Sequence, residues 1–486
     1  MRFIIVILLL SLSHIADAQQ YGAQWVLGYN ESVLDFRHDT LTNYSIGPLM
    51  PMFLTSANIC DSSGNLLYYT NGIYIAGADG NQIINGDSLS PCPSAYQQAD
   101  IGLDIPQGTL FLPMPGNERY YYLLHMAEDT FNGHRPGTLY YSVIDKEGNT
   151  GLGQVVQKNI SYYKGTIFRE GGMTACKHAN GRDWWIVMGN IDNTYYKFLL
   201  TPNGISDTII QTIGPSYDNG IDVAYSKFSQ DGSKYVTSCY QDSVLIMDFD
   251  RCTGLFSNPT TLFNQACIDG TSCSGASGVE LSPNSRFLYV AAAITLNQYD
   301  LLSSNIQHDS IMLYQSDSDD VARLNFLQLA PNGKIYGSCH NGGFYFIHAI
   351  NNPDLKGDSS EYIDTAFITL TTNTNSLPNM INYQLGALIG SGCDTIRTGV
   401  GIIGVSSNKL RVFPNPADKY LYVEISMQGN YEFDLMNELG QVVEKRETRQ
   451  VDNFDTEKLS NGVYFLKVVN KNSDKKVEVQ KVIVTH

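Results

Sequence analysis

The sequence lacks the short motifs by which many enzymes are recognised. It contains no HExxH zinc pair, no GxSxG nucleophile elbow, no phosphate-binding Walker loop and no dinucleotide fingerprint. No two of its nine cysteines form a CxxC pair, which argues against a zinc ribbon or a thioredoxin-type site. No segment repeats its apolar residues at the period of about 3.6 that an amphipathic helix needs. These absences argue against the motif-defined enzyme classes and against a helical fold.

Charged residues are scarce, and basic ones are the scarcer. They make up 16% of the chain, with 31 Lys and Arg against 48 Asp and Glu. Residues 405–486 are balanced at 12 of each sign, whereas residues 19–404 hold 18 basic and 35 acidic residues and carry the net −17. An acidic surface repels phosphate backbones, so nucleic acid is a poor partner, and cations or neutral glycans fit better. The acidic excess is also compatible with a role in solubility alone.

Long apolar runs are missing, apart from a short one at the start. Residues 3–12 follow Met1-Arg2 and are too few to span a bilayer, but they match the core of a signal peptide. The small residues Ala16 and Ala18 predict cleavage between Ala18 and Gln19, which makes residues 1–18 a signal peptide. An N-terminal membrane anchor is the alternative. No other apolar stretch approaches 18 residues, so no transmembrane segment is expected.

Export places the cysteines in an oxidising compartment, where some are expected to pair. Cys267 and Cys273 enclose a small Gly/Ser/Thr-rich loop and are the first candidate disulfide, and Cys60 with Cys92 is the second. An odd number of cysteines leaves at least one free thiol. Three cysteines lie in or beside predicted strands, where buried free thiols are expected: Cys176, Cys239 and Cys339.

One pattern recurs through the larger part of the chain. A tight turn built on Asn or Gly is followed by an aromatic or β-branched strand, because the positive-φ positions of such turns suit Gly and Asn. The copies begin 48–65 residues apart and are Ser63–Thr70, Pro115–Tyr122, Asn180–Val187, Asp231–Thr237, Pro283–Val290 and Pro331–Tyr336. A period of this length with about four strands per unit is typical of a β-propeller.

The predicted number of blades depends on the residues of this segment that lie outside the six copies. The stretches Gln24–Met50 and Leu377–Gly390 together supply about one more unit. We therefore predict an all-β chain with a propeller over residues 19–393, with seven blades favoured and six as the alternative. The seventh blade would be assembled from both ends of the segment, which removes exposed sheet edges.

The last part of the chain reads as a separate domain. Residues 394–408 are rich in Gly, Ser and Thr and are predicted to be a linker. Residues 409–486 then alternate apolar and polar side chains in short runs separated by Gly-containing turns. This pattern predicts a small antiparallel β-sandwich.

Particular residues of this tail carry a resemblance. Leu410–Ala417, Leu459–Leu466 and Gln480–Val484 resemble the type A C-terminal sorting domain of the type IX secretion system of Bacteroidota. The residues that match its motifs are Pro414, Asn415, Pro416, Gly440, Gly462 and Tyr464. The resemblance implies recognition by the type IX translocon, frequent removal of the tail, and a secreted or outer-surface location. A generic adhesin-type sandwich is the alternative.

The larger segment carries a second, less specific resemblance. Residues Trp25–Gly28, Gly64–Gly72, Ala175–Gly181, Gly278–Asn284 and Leu377–Asn379 look like the WD/YVTN-like propeller found upstream of such sorting domains. The resemblance implies a fold and a surface setting, and no known reaction.

Several polar residues are candidates for chemistry. His178 follows Lys177 at a predicted turn and is either a catalytic imidazole or a structural hydrogen-bonding residue, the latter being favoured. His125 and His134 flank Glu128-Asp129 in a predicted inter-strand loop and could hold a metal, although a solvated loop is favoured.

Two further patterns remain. Asp317, Asp319 and Asp320 form the densest acidic run and would suit Ca²⁺, against a solvated connection between blades. The tyrosine clusters at residues 120–122, 140–141 and 162–163 could stack on sugar rings, against core packing.

The favoured function is an exported binding scaffold without a catalytic site, and no cofactor is expected apart from the Ca²⁺ alternative. Its ligand, an extracellular glycan or protein, would meet the top face or central channel, where loops from the blades converge. The alternative is an extracellular propeller enzyme that acts on glycans as a lyase or hydrolase. Polar groups from several blades gathered around one pocket would favour the enzyme.

Overall fold

The computed structural model describes residues 19–29, 32–47, 50–129, 135–216, 223–239, 243–263, 278–292, 295–316, 323–340, 343–373, 375, 377–394, 410–413, 417–425, 430–437, 440–448, 451–471 and 477–486. The chain divides into two compact units, Met1–Asp394 and Thr395–His486. The described residues are nearly all β, with two short helices, α1 (Pro93–Gln97) and α2 (Gly148–Gly151), and one 3₁₀ helix (Gly357–Ser360). They include no helix that is long and apolar enough to cross a membrane. The predicted all-β class is confirmed.

The first four sheets of the larger unit are antiparallel. Sheet 1 contains β1 (Gln24–Leu27), β2 (Ser32–Asp35) and β3 (Thr42–Ser45). Sheet 2 contains β4 (Ala57–Cys60), β5 (Leu66–Thr70) and β6 (Ile75–Gly77). Sheet 3 contains β7 (Thr109–Pro113), β8 (Tyr120–Asp129), β9 (Arg135–Asp145) and β10 (Gln154–Lys164). Sheet 4 contains β12 (Thr174–Lys177), β13 (Trp184–Gly189), β14 (Thr194–Thr201) and β15 (Gly204–Thr212).

Three more sheets follow in chain order. Sheet 5 contains β16 (Val223–Phe228), β17 (Lys234–Cys239), β18 (Ser243–Asp250) and β19 (Leu255–Phe263), and the short β11 (Glu170–Gly171) pairs with β16 in parallel. Sheet 6 contains β20 (Gly278–Leu281), β21 (Phe287–Ala292), β22 (Thr295–Asp300) and β23 (Ile311–Gln315). Sheet 7 contains β24 (Arg323–Leu329), β25 (Ile335–His340), β26 (Phe344–Ile350) and β27 (Tyr362–Asn373).

The last sheet meets the first, so the seven sheets seen in the described residues follow one another around a circle. The amide of Asn43 in sheet 1 donates to the carbonyl of Ile368 in sheet 7 at 2.9 Å. The ring of Trp25 in sheet 1 packs edge-on against that of Tyr336 in sheet 7, with centroids 6.0 Å apart. This arrangement is a propeller with seven blades, the favoured number.

The predicted origin of the seventh blade is wrong. Apart from the short β11 in sheet 5, each sheet is built from its own stretch of chain, and residues 377–394 join none of them. Sheet 1 stops at three strands, and it meets sheet 7 through side-chain packing and single hydrogen bonds between neighbouring blades. The first part of Leu377–Gly390 instead buries Leu377, Met380 and Tyr383 in the middle of the ring, whereas Leu388 and Ile389 further along are exposed.

The recurring turns share one local device. At each, an Asp or Asn oxygen accepts the backbone N–H two residues further on, which fixes the turn before the next strand begins. The accepting residues are Asp61, Asn117, Asn180, Asp231, Asn284 and Asn332. Five of the turns also place a glycine at positive φ, as predicted, while Ser285 takes that position at φ 61° in the fifth copy.

Ion pairs join the start of one strand to the end of the next. Arg119 pairs with Asp145 at 2.6 Å, and Arg286 pairs with Asp300 at 2.7 Å. Hydrogen bonds from these guanidinium groups hold the pKa of both carboxyls below their usual range. In these two blades, the acidic residue that closes the third strand is therefore a structural partner of the basic residue after the turn.

The second unit is a small sandwich of two antiparallel sheets. One contains β28 (Leu410–Phe413), β29 (Tyr420–Ile425) and β32 (Val451–Asp455). The other contains β30 (Tyr431–Asn437), β31 (Val442–Thr448), β33 (Gly462–Asn470) and β34 (Val477–Val484). Apolar side chains from both sheets share one core, as the period-2 pattern predicts.

Candidate functional site

A segment of chain crosses the middle of the propeller. Residues 377–394, here called the strap, follow the last blade. Asn379 is 1% exposed, and its side-chain amide donates to the carbonyls of Thr109 and Met173, both at 2.9 Å. Its oxygen accepts from the amide of Gln107 at 3.2 Å, and its backbone N–H donates to Ser56 at 2.8 Å. One asparagine therefore ties the strap to inner strands of neighbouring blades.

The far end of the strap is held covalently. Cys393 forms a disulfide with Cys252, 141 residues earlier, in the turn after β18. Arg251 beside it donates to the carbonyls of Gly386 and Lys177, the latter at 2.9 Å. The strap is thus fixed at both ends, by the network around Asn379 and by the disulfide.

A cavity of about 420 Å³ lies beside the strap. Its walls include the ends of inner strands of sheets 5, 6 and 7 and the turns that follow them, so it opens among the recurrent Asp and Asn turns. The residues of the cavity used below are Gln20, Trp25, Arg37, Lys227, Phe228, Gln230, Glu280, Pro283, Gln328, Pro331, Tyr383 and Gln384. They come from both ends of the propeller segment and from three other blades.

A buried ion pair lies in the wall of the cavity. The Lys227 ammonium is 3.5 Å from the Glu280 carboxylate, on the neighbouring blade, and donates to the side chain of Gln328 on the next. The carboxylate of Glu280 accepts the backbone N–H groups of Leu281 and Leu329, both at 2.9 Å. Burial lowers the pKa of Lys227 and raises that of Glu280, although each lies beside the opposite charge.

The other ionisable residues of the cavity also have partners. Arg37 pairs with Asp35 at 2.7 Å, and the Tyr383 hydroxyl donates to the carbonyl of Phe111 at 2.9 Å. Burial raises the pKa of Tyr383, which therefore stays protonated at neutral pH. All four ionisable side chains that line this cavity are engaged in contacts within the protein.

Some of the uncharged polar groups of the cavity differ in this respect. Trp25 is 1% exposed, and its indole N–H has no acceptor in the part of the chain that the structure describes. The side-chain amides of Gln20, Gln230 and Gln384 also form no hydrogen bond with described residues; Gln20 and Gln384 are exposed, and Gln230 is half-buried. The cavity therefore combines neutralised charges with free neutral donors and acceptors.

His178 and His125, two of the histidines predicted as catalytic or metal-binding candidates, have structural roles. His178 accepts the Asn180 N–H at 3.1 Å and lies 3.2 Å from the Cys252 carbonyl, so both ring nitrogens are used in the turn, as favoured. His125 is fully buried between the hydroxyls of Ser90 and Ser142, at 3.0 and 3.1 Å. Burial lowers its pKa to about 3.

The predicted loop around His125 is corrected. Residues 120–129 form β8, so His125 and Glu128 lie on a strand. His134 lies outside the described residues, as do Asp317, Asp319 and Asp320, so the Ca²⁺ hypothesis stays a prediction. Within the described ranges, no three His, Cys, Asp or Glu side chains lie close enough together to hold a metal ion.

The tyrosine clusters pack inside the protein. Tyr121 and Tyr122 are buried, and Tyr162 meets Phe198 edge-on with centroids 5.0 Å apart. Tyr140 stacks on the ring of His125. Core packing, the favoured interpretation, accounts for them.

The cysteine predictions are mixed. Cys267 and Cys273 lie outside the described residues. Cys60 and Cys92 are buried free thiols, so their predicted pairing is wrong. Cys176 and Cys339 are buried and free as predicted, and burial raises the pKa of Cys176 to about 12.

Residues of the predicted sorting motif lie at turns of the sandwich where they are described. Gly440 has φ 78° between β30 and β31, and Gly462 begins β33. The hydroxyl of Tyr464 donates to the Ser460 carbonyl at 2.9 Å and closes the turn before that strand. Pro414, Asn415 and Pro416 lie outside the described residues, as does Ala18 of the predicted cleavage site.

Sequence reasoning missed Trp25, Lys227, Glu280 and Asn379 as a group. A weak signal existed, because three of them lie in the segments that resemble the propeller family. Lys227 and Glu280 are also single charges within otherwise apolar or neutral strands. Nothing local, however, indicated that two such charges would meet between blades.

The comparisons with known proteins assign part of the chain. Residues 411–485 match the family described as "Secretion system C-terminal sorting domain". No curated protein sequence matches. The chain therefore carries a sorting domain of the type IX pathway, which implies export to the outside of the cell or its surface.

Solved structures resemble the larger unit only distantly. A protein from Lactobacillus plantarum is 14% identical, with 73% of this chain and 97% of that one covered at a TM-score of 0.44. The periplasmic gluconolactonase of Pseudomonas aeruginosa is 12% identical, with 73% and 97% covered at 0.42. The β-propeller domain of Cps50 (Swd1) from Myceliophteria thermophila is 9% identical, with 65% and 90% covered at 0.39. At these values none of the three informs the function of this chain.

Proposed function

We propose that this protein is an exported binding module. Its sandwich tail delivers it through the type IX secretion system, and its propeller binds a ligand outside the cell, in the cavity beside the strap. The match of residues 411–485 to a sorting domain supports the delivery route. The volume of the cavity, about 420 Å³, lies in the usual range for small-molecule sites.

One observation carries the choice of binding over catalysis. A general acid or base must reach a proton on the substrate, and a nucleophile needs a free attacking atom. In this cavity Lys227 and Glu280 neutralise each other, Arg37 is held by Asp35, and the hydroxyl of Tyr383 is bonded to a carbonyl. Polar groups from several blades do converge, which was the arrangement expected for an enzyme, but their ionisable members are already paired.

Export can be tested by deletion and by transfer of the tail. In a host with type IX machinery, a chain without residues 409–486 should accumulate in the periplasm, while the complete chain reaches the surface or medium. As a sufficiency control, residues 409–486 fused to a periplasmic fluorescent protein should carry it outside. Cell fractionation and surface proteolysis measure both results. Normal delivery of the truncated chain would refute the role of the tail.

Binding and catalysis can be separated on the complete chain. A glycan array identifies retained ligands, and incubation with the retained glycans followed by product chromatography detects turnover. A binding module retains the glycan unchanged at stoichiometric protein. Cleavage at a rate that rises with the concentration of the protein would refute the proposal and favour a glycan-active enzyme.

A further inference from the structure

We infer that the cavity beside the strap binds a neutral, polyhydroxylated ligand, a mono- or oligosaccharide without acidic or amino groups. The inference rests on the proposed function, since it names the class of ligand for the same cavity. The charges, the neutral polar groups and the apolar surfaces of the wall each support it.

The charges exclude a strongly ionic ligand. A charged group that leaves water needs an opposite charge or several strong hydrogen bonds in its site. The Lys227 ammonium is 4% exposed and already faces Glu280 at 3.5 Å, while Arg37 is held by Asp35 at 2.7 Å. A phosphate, carboxylate or ammonium group in this cavity would therefore find no uncommitted counter-charge among the ionisable residues that line it.

The neutral polar groups favour a ligand rich in hydroxyls. The amides of Gln20, Gln230 and Gln384 each offer two donors and one acceptor oxygen. A sugar hydroxyl both donates and accepts, so neighbouring hydroxyls on one ring can bond to several of these amide groups together.

Apolar surfaces complete the wall. Phe228, Pro283 and Pro331 line the same cavity as these polar groups. A pyranose ring carries hydroxyls around its edge and C–H groups on its faces, and it can use both kinds of surface at once. Sites for small ligands commonly combine a mainly apolar wall with a few placed polar groups.

The test uses the complete chain and defined probes. Maltotriose, cellotriose, mannotriose, xylotriose and chitotriose are titrated by calorimetry and by tryptophan fluorescence, beside a trigalacturonate and a mixed tripeptide library. We expect one or more neutral trisaccharides to bind and to change the fluorescence, and the trigalacturonate to bind at least tenfold more weakly. Trp25→Phe replaces the indole at the wall of the cavity with a phenyl ring, and should abolish the fluorescence change while calorimetry still detects binding.

A second variant and a control keep the test independent of folding. Gln230→Ala removes a half-buried amide at the cavity and should raise the Kd about fivefold. The matched control is Gln157→Ala on the exposed surface of β10, which should leave the Kd unchanged. Thermal unfolding of each variant reports any loss of fold.

The outcomes separate this inference from the proposed function. Retention of a peptide or of trigalacturonate, weakened by Gln230→Ala, would overturn the sugar inference and leave the binding module in place. Sugar binding that Gln230→Ala does not weaken would overturn the cavity as its site. Cleavage of a bound trisaccharide would refute the proposed function, while the same dependence on Gln230 would still support the ligand class.

Discussion

Asn379 offers the sharpest test of how the strap contributes to stability. Its amide donates to the carbonyls of Thr109 and Met173 at 2.9 Å, and its oxygen accepts from Gln107 at 3.2 Å, all in a buried environment. Asn379→Ala removes these three hydrogen bonds and leaves two carbonyls short of a donor, whereas Gln107 keeps its bond to Ser226 at 2.9 Å. At about 1 kcal/mol for each bond, with more for a buried group left unpaired, the free energy of unfolding should fall by about 2–4 kcal/mol.

A second substitution gives this prediction a pH signature. Asn379→Asp keeps the shape but places a carboxylate against the two carbonyl oxygens at neutral pH. The folded state should then raise the pKa of this carboxyl, because only the protonated form can donate. At pH 7, Asn379→Asp should lower the free energy of unfolding by more than Asn379→Ala does, and this loss should shrink towards pH 4. A carboxyl whose pKa is raised in the folded state stabilises the fold below its unfolded pKa. That contribution is lost as the pH rises through the folded pKa.

The assay is urea unfolding of the complete chain followed by tryptophan fluorescence. All three tryptophans, Trp25, Trp184 and Trp185, lie in the propeller, so the signal reports that unit alone. Asn203→Ala, at an exposed turn residue, is the control and should change the free energy of unfolding by less than about 0.5 kcal/mol. If Asn379→Ala unfolds at the same urea concentration as the unaltered chain, the strap is not an integral part of the ring.

Two further predictions concern the same unit. Replacing Cys252 and Cys393 together by Ala should lower the free energy of unfolding by about 3–5 kcal/mol, because their bond closes a long loop in the unfolded chain; equal urea midpoints with and without the bond would contradict this. His125, with a pKa of about 3 when folded, is protonated first in the unfolded chain, so it makes the propeller less stable as the pH falls from about 6.5 towards 3. His125→Gln should remove this slope, at most about 1.4 kcal/mol per pH unit, in urea unfolding between pH 4 and 7; parallel curves for both proteins would refute the assignment.

The parts of the fold that were predictable depend on local chemistry. The turns at Asn180 and Asp231 require a side-chain acceptor and a residue at positive φ within four positions, and both requirements are visible in the sequence. The alternation of the tail likewise reports one buried face for each strand. Such local patterns can be read from the sequence because they do not depend on contacts with distant segments.

The parts that were not predictable depend on contacts between distant segments. Cys252 and Cys393 are 141 positions apart, and their pairing follows from where the strap leaves the ring. The apolar residues of the strap have the composition of a strand, so the sequence could not distinguish a half blade from a segment buried across the channel. The cavity is a product of this closure, because Trp25, Lys227 and Glu280 belong to three different blades.

The disulfide at the end of the strap also has a mechanical consequence. Any pull on the chain beyond Asp394 enters the propeller at Cys393, and the covalent bond passes this load to the turn at Cys252. The force is therefore carried by strands of sheet 5 before it can act on the hydrogen bonds around Asn379. Without the bond, the same pull would peel the strap out of the ring one contact at a time. A pulling force on the C-terminal domain would in this way leave the strap in place in the middle of the propeller.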